Sequence, residues 1–472
     1  MELTNNPNLI WYLAIYGILM VVLGFIYSKK ITTSEDFILA GRGLGPIVLM
    51  GTLIATWCGS GTVTGGGNSL AYAYGLWPGV LFLVPSVIGV LIMSRIASKV
   101  RAYGKYTVSE ILSEKYGPFA GMLSSFIIIL AFVGIVSYQF KGIGFILNVS
   151  TGIPVELGTI IGAVLIIFLA SIGGLMAVAP TDAMSAFLML IGLVVVVPTL
   201  ISTAGGWSTI TTNVPAQHNS LTGSLTFVQL LGYYLPVLVL MLADQNMYQR
   251  LASSKEDKSS KTAIIGWLIG LAIIVPSVAV IAFTARSIFP NIAPGMALIS
   301  TTLVLPTVIG GVLLASATAF IVTTGNSYLL SAATNITYDI YAKIFKTNAT
   351  DKEKLVSTKV FIIALGIISY VLIRFFPSVL SIQMYAYTVY GASLCPAVLA
   401  VFLWKDVTKS GGIASMLTGS IVTLVWEIVL RRPFGLNSVI IALPLAIIVL
   451  IVVSLLTQHQ NKSTFSNKEQ VV

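Results

Sequence analysis

Charge is what this sequence has least of. Only 9% of its 472 residues are Asp, Glu, Lys or Arg, and 56% are hydrophobic, whereas soluble domains carry about 25% charged residues. So little charge, at a mean hydropathy of +0.96, excludes a water-soluble globular domain and leaves a polytopic membrane protein. Cysteine is almost absent too: Cys58 and Cys395 both lie in apolar segments, which excludes a disulfide framework. The two histidines, His218 and His459, fall in polar connections, which removes histidine-ligated haem and a buried histidine proton relay. The first apolar run, residues 9–27, has no positive flank before it and no small-residue cleavage site after it. It is therefore expected to stay as a membrane helix. Acidic residues number 16 against 26 basic ones, a net charge of +10. In a membrane protein that excess points to basic cytoplasmic loops rather than to nucleic acid.

What is abundant is apolar sequence in runs of about 20 residues, the length that spans a bilayer as helix. Thirteen such runs are expected, at 9–27, 46–66, 77–96, 119–140, 154–172, 182–203, 227–246, 263–284, 307–341, 357–376, 379–403, 412–430 and 438–456. The fold class is all-α. With the N-terminus outside, 21 of the 26 basic residues fall in inward connections or the tail, among them Lys30, Arg250, Lys462 and Lys468. Only Arg286, Arg374, Arg431 and Arg432 face outward. The positive-inside rule then places the C-terminus in the cytoplasm of a cell-membrane protein. If spans two to six form one unit and spans seven to eleven another, each holds an odd number of helices. The two units would then be inverted relative to each other, as in many secondary transporters. This divides the chain into 1–45, an extra helix and loop; 46–403, a core of units 46–203 and 227–403; and 404–472, two further helices and a tail.

The second run carries an anomaly. From Ala55 to Gly67 it reads Ala-Thr-Trp-Cys-Gly-Ser-Gly-Thr-Val-Thr-Gly-Gly-Gly, with five glycines and four hydroxyls at membrane depth. Non-helical backbone survives there only where protein buries it or where it lines a polar cavity. Gly-interrupted segments point to transporter sites, and close helix packing through small residues is the other reading. In the ninth run Thr323, Ser327 and Ser331 share one helix face, flanked by Thr324 and Asn326. Such hydroxyls either bond back to their own helix or supply oxygens to a site. Ionisable residues within the spans are few. Asp182 is a candidate ligand or a helix cap, Lys141 snorkels outward or meets an anionic solute, and Glu427 is expected to pair with Arg431 four residues on. No titratable group lies in the broken stretch of span two, which argues against a proton as the coupling ion. Neutral oxygens suit a hard cation such as Na⁺.

Several blocks carry a family resemblance. They are Gly173-Gly174-Leu175-Met176-Ala177-Val178-Ala179-Pro180-Thr181-Asp182, Asp244 to Gln249-Arg250, and the ninth-span hydroxyl helix ending at Tyr338-Asp339-Ile340-Tyr341. Together they make the chain resemble the sodium:solute symporters, the family of sodium–glucose, proline, sialic acid and pantothenate carriers. The resemblance implies a LeuT-like core of two inverted five-helix units, with Na⁺ as coupling ion and no organic cofactor. Carried over by position, the sodium ligands are the carbonyls of Ala55, Cys58 and Phe320 and the hydroxyls of Thr323 and Thr324. A second sodium, present in some members, would fall to Asp182, Thr323, Asn326 and Ser327, where Asn326 replaces a serine.

The solute is expected to be a small organic molecule and not a sugar, because Leu81, Phe82, Val237 and Leu240 stand where sugar carriers place polar side chains. Thr56, Trp57, Ser60, Thr62, Tyr233, Tyr234 and Tyr387, with Tyr385 and Tyr390, are the candidates to line its pocket. Each could equally be packing. The expected function is sodium-coupled import by alternating access. The alternatives are a proton-coupled or passive carrier of the same fold and, further off, an ion channel, for which no filter motif is present. Neither a P-loop nor a dinucleotide fingerprint occurs, so no enzyme is expected. Membrane lipid is the expected surrounding, with no nucleic acid and no obligate protein partner.

Overall fold

The computed structural model describes residues 5–29, 31 and 33–469. Lys30, and the side chains of His459, Lys462 and Lys468, lie outside the described residues. Among the described residues thirteen helical spans follow in order, the two helices of one bent pair being taken as one span. They are α1 (Leu9–Tyr27), α2 (Pro46–Trp57 and Ser60–Tyr74), α3 (Leu76–Tyr103), α4 (Pro118–Thr151), α5 (Val155–Ile172), α6 (Gly174–Thr203) and α7 (Phe227–Ala252). After these come α8 (Asp257–Ile288), α9 (Thr307–Phe345), α10 (Asp351–Phe375), α11 (Val379–Leu403), α12 (Lys409–Val429) and α13 (Val439–Gln458). Each matches one expected run. The correspondence holds because a span is set by apolar transfer energy summed along the chain, which needs no knowledge of the neighbours.

Burial separates core from periphery. In the apolar stretches of α9 and α11, 83% of residues are buried, against 17% for α1 and 28% for α12 and α13. The outer helices show Ile, Val and Leu to the surroundings, as lipid-facing sides do. α9 runs through the middle, against α2, α4, α5 and α6.

Two core helices are broken. The halves of α2 meet at a bend of 54°, where Cys58 and Gly59 leave helical geometry. α7 breaks at Asp244 (φ −61°, ψ 115°), between Phe227–Ala243 and Gln245–Ala252. The second and seventh spans are thus each interrupted within their length. A third break separates α5 from α6 at Gly174 (φ +49°), where a Cβ would fall 2.7 Å from Phe37 Cγ; only glycine serves there.

Two sequence expectations need correction. Arg250, assigned to a loop, is the seventh helix's own residue and is 1% exposed. Glu427 pairs with Arg432, not Arg431. α12 ends in a π-turn over 425–429, and the chain then reverses through positive φ at Arg431 and Arg432, so helical i+4 spacing no longer applies. Glu427 also accepts from Ser438 N (3.1 Å) and Oγ (2.8 Å).

Candidate functional site at the broken helices

A helix end leaves its last carbonyls without intrahelical partners and carries the negative end of the dipole. At the end of the first half of α2, Ile54 O still accepts from Cys58 N (2.9 Å), but the later carbonyls turn to α9. Thr324 Oγ1 donates to Ala55 O at 2.9 Å and lies 3.2 Å from Thr56 O. Thr323 Oγ1 lies 3.3 Å from Phe320 O and 3.5 Å from Ala55 O. The predicted Ala55, Phe320, Thr323 and Thr324 oxygens therefore converge from helices 268 residues apart in sequence. Cys58 caps the same helix end, and Gly59 beside it admits Thr324: a Cβ there would sit 2.6 Å from Thr324 Cγ2. Carbonyl and hydroxyl oxygens with no net charge are a donor set that fits a hard monovalent cation.

The other side of the break is held by two amides that the sequence analysis overlooked. Gln139 Oε1 accepts from Ser60 N (2.8 Å) and Gln383 Oε1 from Gly66 N (2.8 Å). Both are fully buried glutamines in apolar spans, and that isolation was the available signal. α7 is treated alike. Tyr390 OH receives Gln245 N (3.1 Å) and donates to Ala243 O (2.7 Å) across the break, while Asp244 accepts from Asn246 N (2.8 Å) and from Tyr328 OH.

The hydroxyl face of α9 divides between the two broken helices. Thr323 meets α2, whereas Ser331 bonds Asn246 Oδ1 and Gln249 Oε1 (2.7 Å each) and Ser327 receives Arg250 Nη2 (2.7 Å). Asp182 closes this cluster: its Oδ2 accepts from Thr52 (2.5 Å) and lies 3.4 Å from Arg250 Nη2, both charges being 0–1% exposed. Arg250 Nε also donates to Thr52 (2.9 Å). Asp182 and Ser327, named for a second sodium, are thus brought together around a guanidinium. Asp182 Oδ1 and Asn326 Oδ1 stay buried without a hydrogen-bond partner.

Of the candidate solute residues, Trp57 and Tyr387 stack (6.4 Å between centroids) beside the break, with Trp57 Nε1 donating to Ser86 and Tyr138 OH 3.3 Å from Tyr387 OH. A Cβ at Gly61 would sit 2.9 Å from Tyr387 OH. Tyr233 lines a cavity of about 420 Å³ with Tyr74, Gln229, Ser381, Met384 and Arg432, on the face away from Arg250. The rest point elsewhere. Thr56 turns to Asp182 (3.5 Å), Ser60 Oγ to Thr64 and Tyr138 O, and Tyr234 OH to Pro78 O (2.9 Å). Thr62 is buried in the short turn after the break, Tyr385 packs on Phe376, and Tyr390 clamps α7.

Known proteins resemble this chain in sequence and in fold. The osmoregulated proline transporter OpuE of Bacillus subtilis (strain 168) is 24% identical over 96% of both chains. The sodium/pantothenate symporter of Escherichia coli (strain K12) is 32% identical over 42% of each chain. A Na⁺-coupled sialic acid symporter, solved substrate-bound and outward-open, superposes with a TM-score of 0.81 at 18% identity, covering 95% of this chain and 98% of that one. The fold is LeuT-like. Residues 37–419 match the sodium:solute symporter family, and with four-fifths of its length matched the chain belongs to that family of sodium-coupled membrane transporters.

Proposed function

We propose that the protein imports a small carboxylate-bearing solute, of the class of proline or pantothenate, together with one Na⁺ per cycle. The observation that carries the ion is the Thr324 hydroxyl seated on the Ala55 and Thr56 carbonyls across the α2 break. Na⁺ is held by the carbonyls of Ala55, Cys58 and Phe320 and by Thr323 and Thr324, in place of those hydroxyl–carbonyl bonds. Bound there, it fixes the first half of α2 against α9 and sets Trp57 for the solute. The solute lies against Trp57, Tyr387 and Tyr138, and the cavity of about 420 Å³ extends to Met384, about one helical turn from Tyr387 on α11. The relatives' substrates, proline and pantothenate, support the carboxylate class. Phe82, Val237 and Leu240 are buried apolar side chains, which argues against a sugar.

One sodium is proposed because Arg250 already sets a positive charge between Asp182 and Ser327. A second ion at Asp182, Asn326 and Ser327 would have to displace it. The N-terminus lies outside and the Arg250 end inside, on the strength of the basic residues in the inward connections. The described conformation is then closed inward by the Asp182–Arg250 cluster and accessible from outside. Units 46–203 and 227–403 form the moving core, between the flanking segments 1–45 and 404–472.

The test is uptake of labelled proline and pantothenate into proteoliposomes with an inward Na⁺ gradient. Na⁺-dependent accumulation of either one, with a Hill coefficient near one, is the expected result. Uptake driven equally by a proton gradient in Na⁺-free buffer would refute the ion assignment. Thr324→Ala removes one ligand oxygen and should raise the Na⁺ concentration for half-maximal uptake about tenfold, since a hydrogen-bond-scale contact to a charge is worth roughly 1.5–3 kcal/mol and part is recovered by water.

A further inference from the structure

A second cavity, of about 410 Å³, opens between α4, the first turn of α5 and the end of α10, on the face opposite Arg250. It lies apart from the broken helices. Its wall holds Lys141, Glu156, Thr159, Tyr370, Arg374 and Phe376. Lys141 precedes Gly142, whose hydrogen faces the core: a Cβ there would lie 2.5 Å from Ser60 Oγ. One residue is about 100° of helix rotation, so Lys141 is carried round α4 and out of the core into this cavity. It is half-buried and makes no hydrogen bond or ion pair among the described residues. An uncompensated ammonium at the edge of a membrane helix is costly and calls for a counter-charge.

The rest of the wall is built for an anion. Arg374 Nη2 bonds Glu156 Oε1 (2.6 Å) and Tyr370 OH (2.7 Å), and its guanidinium lies 5.1 Å from the Tyr370 ring centroid. Two cations and one carboxylate leave the cavity with one positive charge in excess. Val155, also in the wall, opens α5, and first-turn N–H groups have no helical acceptor and carry the positive end of the dipole. Beside the polar wall both helices are apolar and exposed, through Leu157, Ile160 and Ile161 on α5 and Val371 and Phe375 on α10. These are surfaces along which acyl chains lie.

We propose that this cavity binds a phosphate group through Lys141 and Arg374, and that its source is the headgroup of a phospholipid of net negative charge. The volume suits a headgroup, and the flanking apolar surfaces favour a lipid over a free ion. The site stands whatever solute the core carries.

The full-length protein, purified in a phosphatidylcholine-supplemented detergent, is given phosphatidylglycerol, more phosphatidylcholine or inorganic phosphate. Native mass spectrometry counts the adducts and the melting temperature is followed. Phosphatidylglycerol should add one retained adduct and raise the melting temperature by a few degrees. Lys141→Gln should cut adduct occupancy roughly fivefold, the loss expected for one lysine at a lipid surface, with its melting temperature in phosphatidylcholine unchanged. Arg374→Gln should do the same, and because it also strands Glu156, Lys141→Gln is the deciding variant. Inorganic phosphate matching phosphatidylglycerol would keep the anion site and assign it to a soluble ion. Phosphatidylcholine binding as well as phosphatidylglycerol, or Lys141→Gln retaining the adduct, would overturn the proposal.

Discussion

Replacing Asp182 by asparagine should open the Arg250 end of the protein. In the described conformation the pair is 0–1% exposed, and Arg250 gathers Thr52 of α2, Asp182 of α6 and Ser327 of α9. Removing one partner of such a buried pair costs about 3–5 kcal/mol, because the other charge stays buried. Once this end opens, water solvates Arg250, and an exposed pair is worth only about 0–1 kcal/mol. The substitution therefore penalises the closed conformation alone, by roughly 2–5 kcal/mol. At about 1.4 kcal/mol per factor of ten that is at least a 25-fold shift of population. The two native cysteines supply the assay. Cys58 lies at the α2 break and is 0% exposed, so with Cys395 changed to serine a membrane-impermeant maleimide reports access to the break from either side. Applied from the Arg250 end, it should label Cys58 at least tenfold faster in Asp182→Asn than in the parent, and more slowly from the opposite end. Asp182→Asn combined with Arg250→Gln removes both charges and should restore most of the closed population. An unchanged labelling rate in a variant that still binds Na⁺ would refute the reasoning.

Two further outcomes are expected. Gly59→Ala drives a methyl into Thr324. Overpacking of this kind costs about 1–3 kcal/mol, so the Na⁺ concentration for half-maximal uptake should rise about tenfold, read from a Na⁺ titration in proteoliposomes. His218, in the connection between α6 and α7, is buried with Nδ1 unpartnered. Burial, and then the nearby Arg286 charge, hold its imidazole below the usual histidine range. The unfolded segment thus takes up a proton more readily than the folded one, so stability is full above about pH 6.5 and is lost as pH falls through the lowered value. Protection factors across residues 215–223, taken relative to the intrinsic exchange rate at each pH, should fall with acidification below pH 6.5, and His218→Gln should flatten that dependence.

The comparison of Glu427 with Thr324 shows where sequence reasoning reaches its limit. Glu427 and Arg431 satisfied the spacing rule for a helical pair, yet the helix ended first and Arg432 took the carboxylate. Thr324 carried no local pattern that marks a cation ligand on its own; it acquired that reading from the broken stretch 265 residues earlier and from a family resemblance. Arg250 was misplaced for a related reason. Counted by charge it belongs in a loop, and only the cluster of Asp182, Thr52 and Ser327 around it makes burial tolerable.

The sequence by itself determined the thirteen spans and the weak helix at Ala55–Gly67. Both depend on quantities summed or read locally: apolar transfer energy along about 20 residues, and the inability of clustered glycines to sustain a helix. The tertiary structure alone decided which oxygens meet across the break, that Gln139 and Gln383 hold its free N–H groups, that α7 breaks at Asp244, and that Arg250 is buried among Thr52, Asp182 and Ser327. Those pairings join residues 68 to 317 positions apart. They are set by which helices cross at one depth, because in the membrane interior each buried polar group needs a partner and takes the one that packing brings within reach.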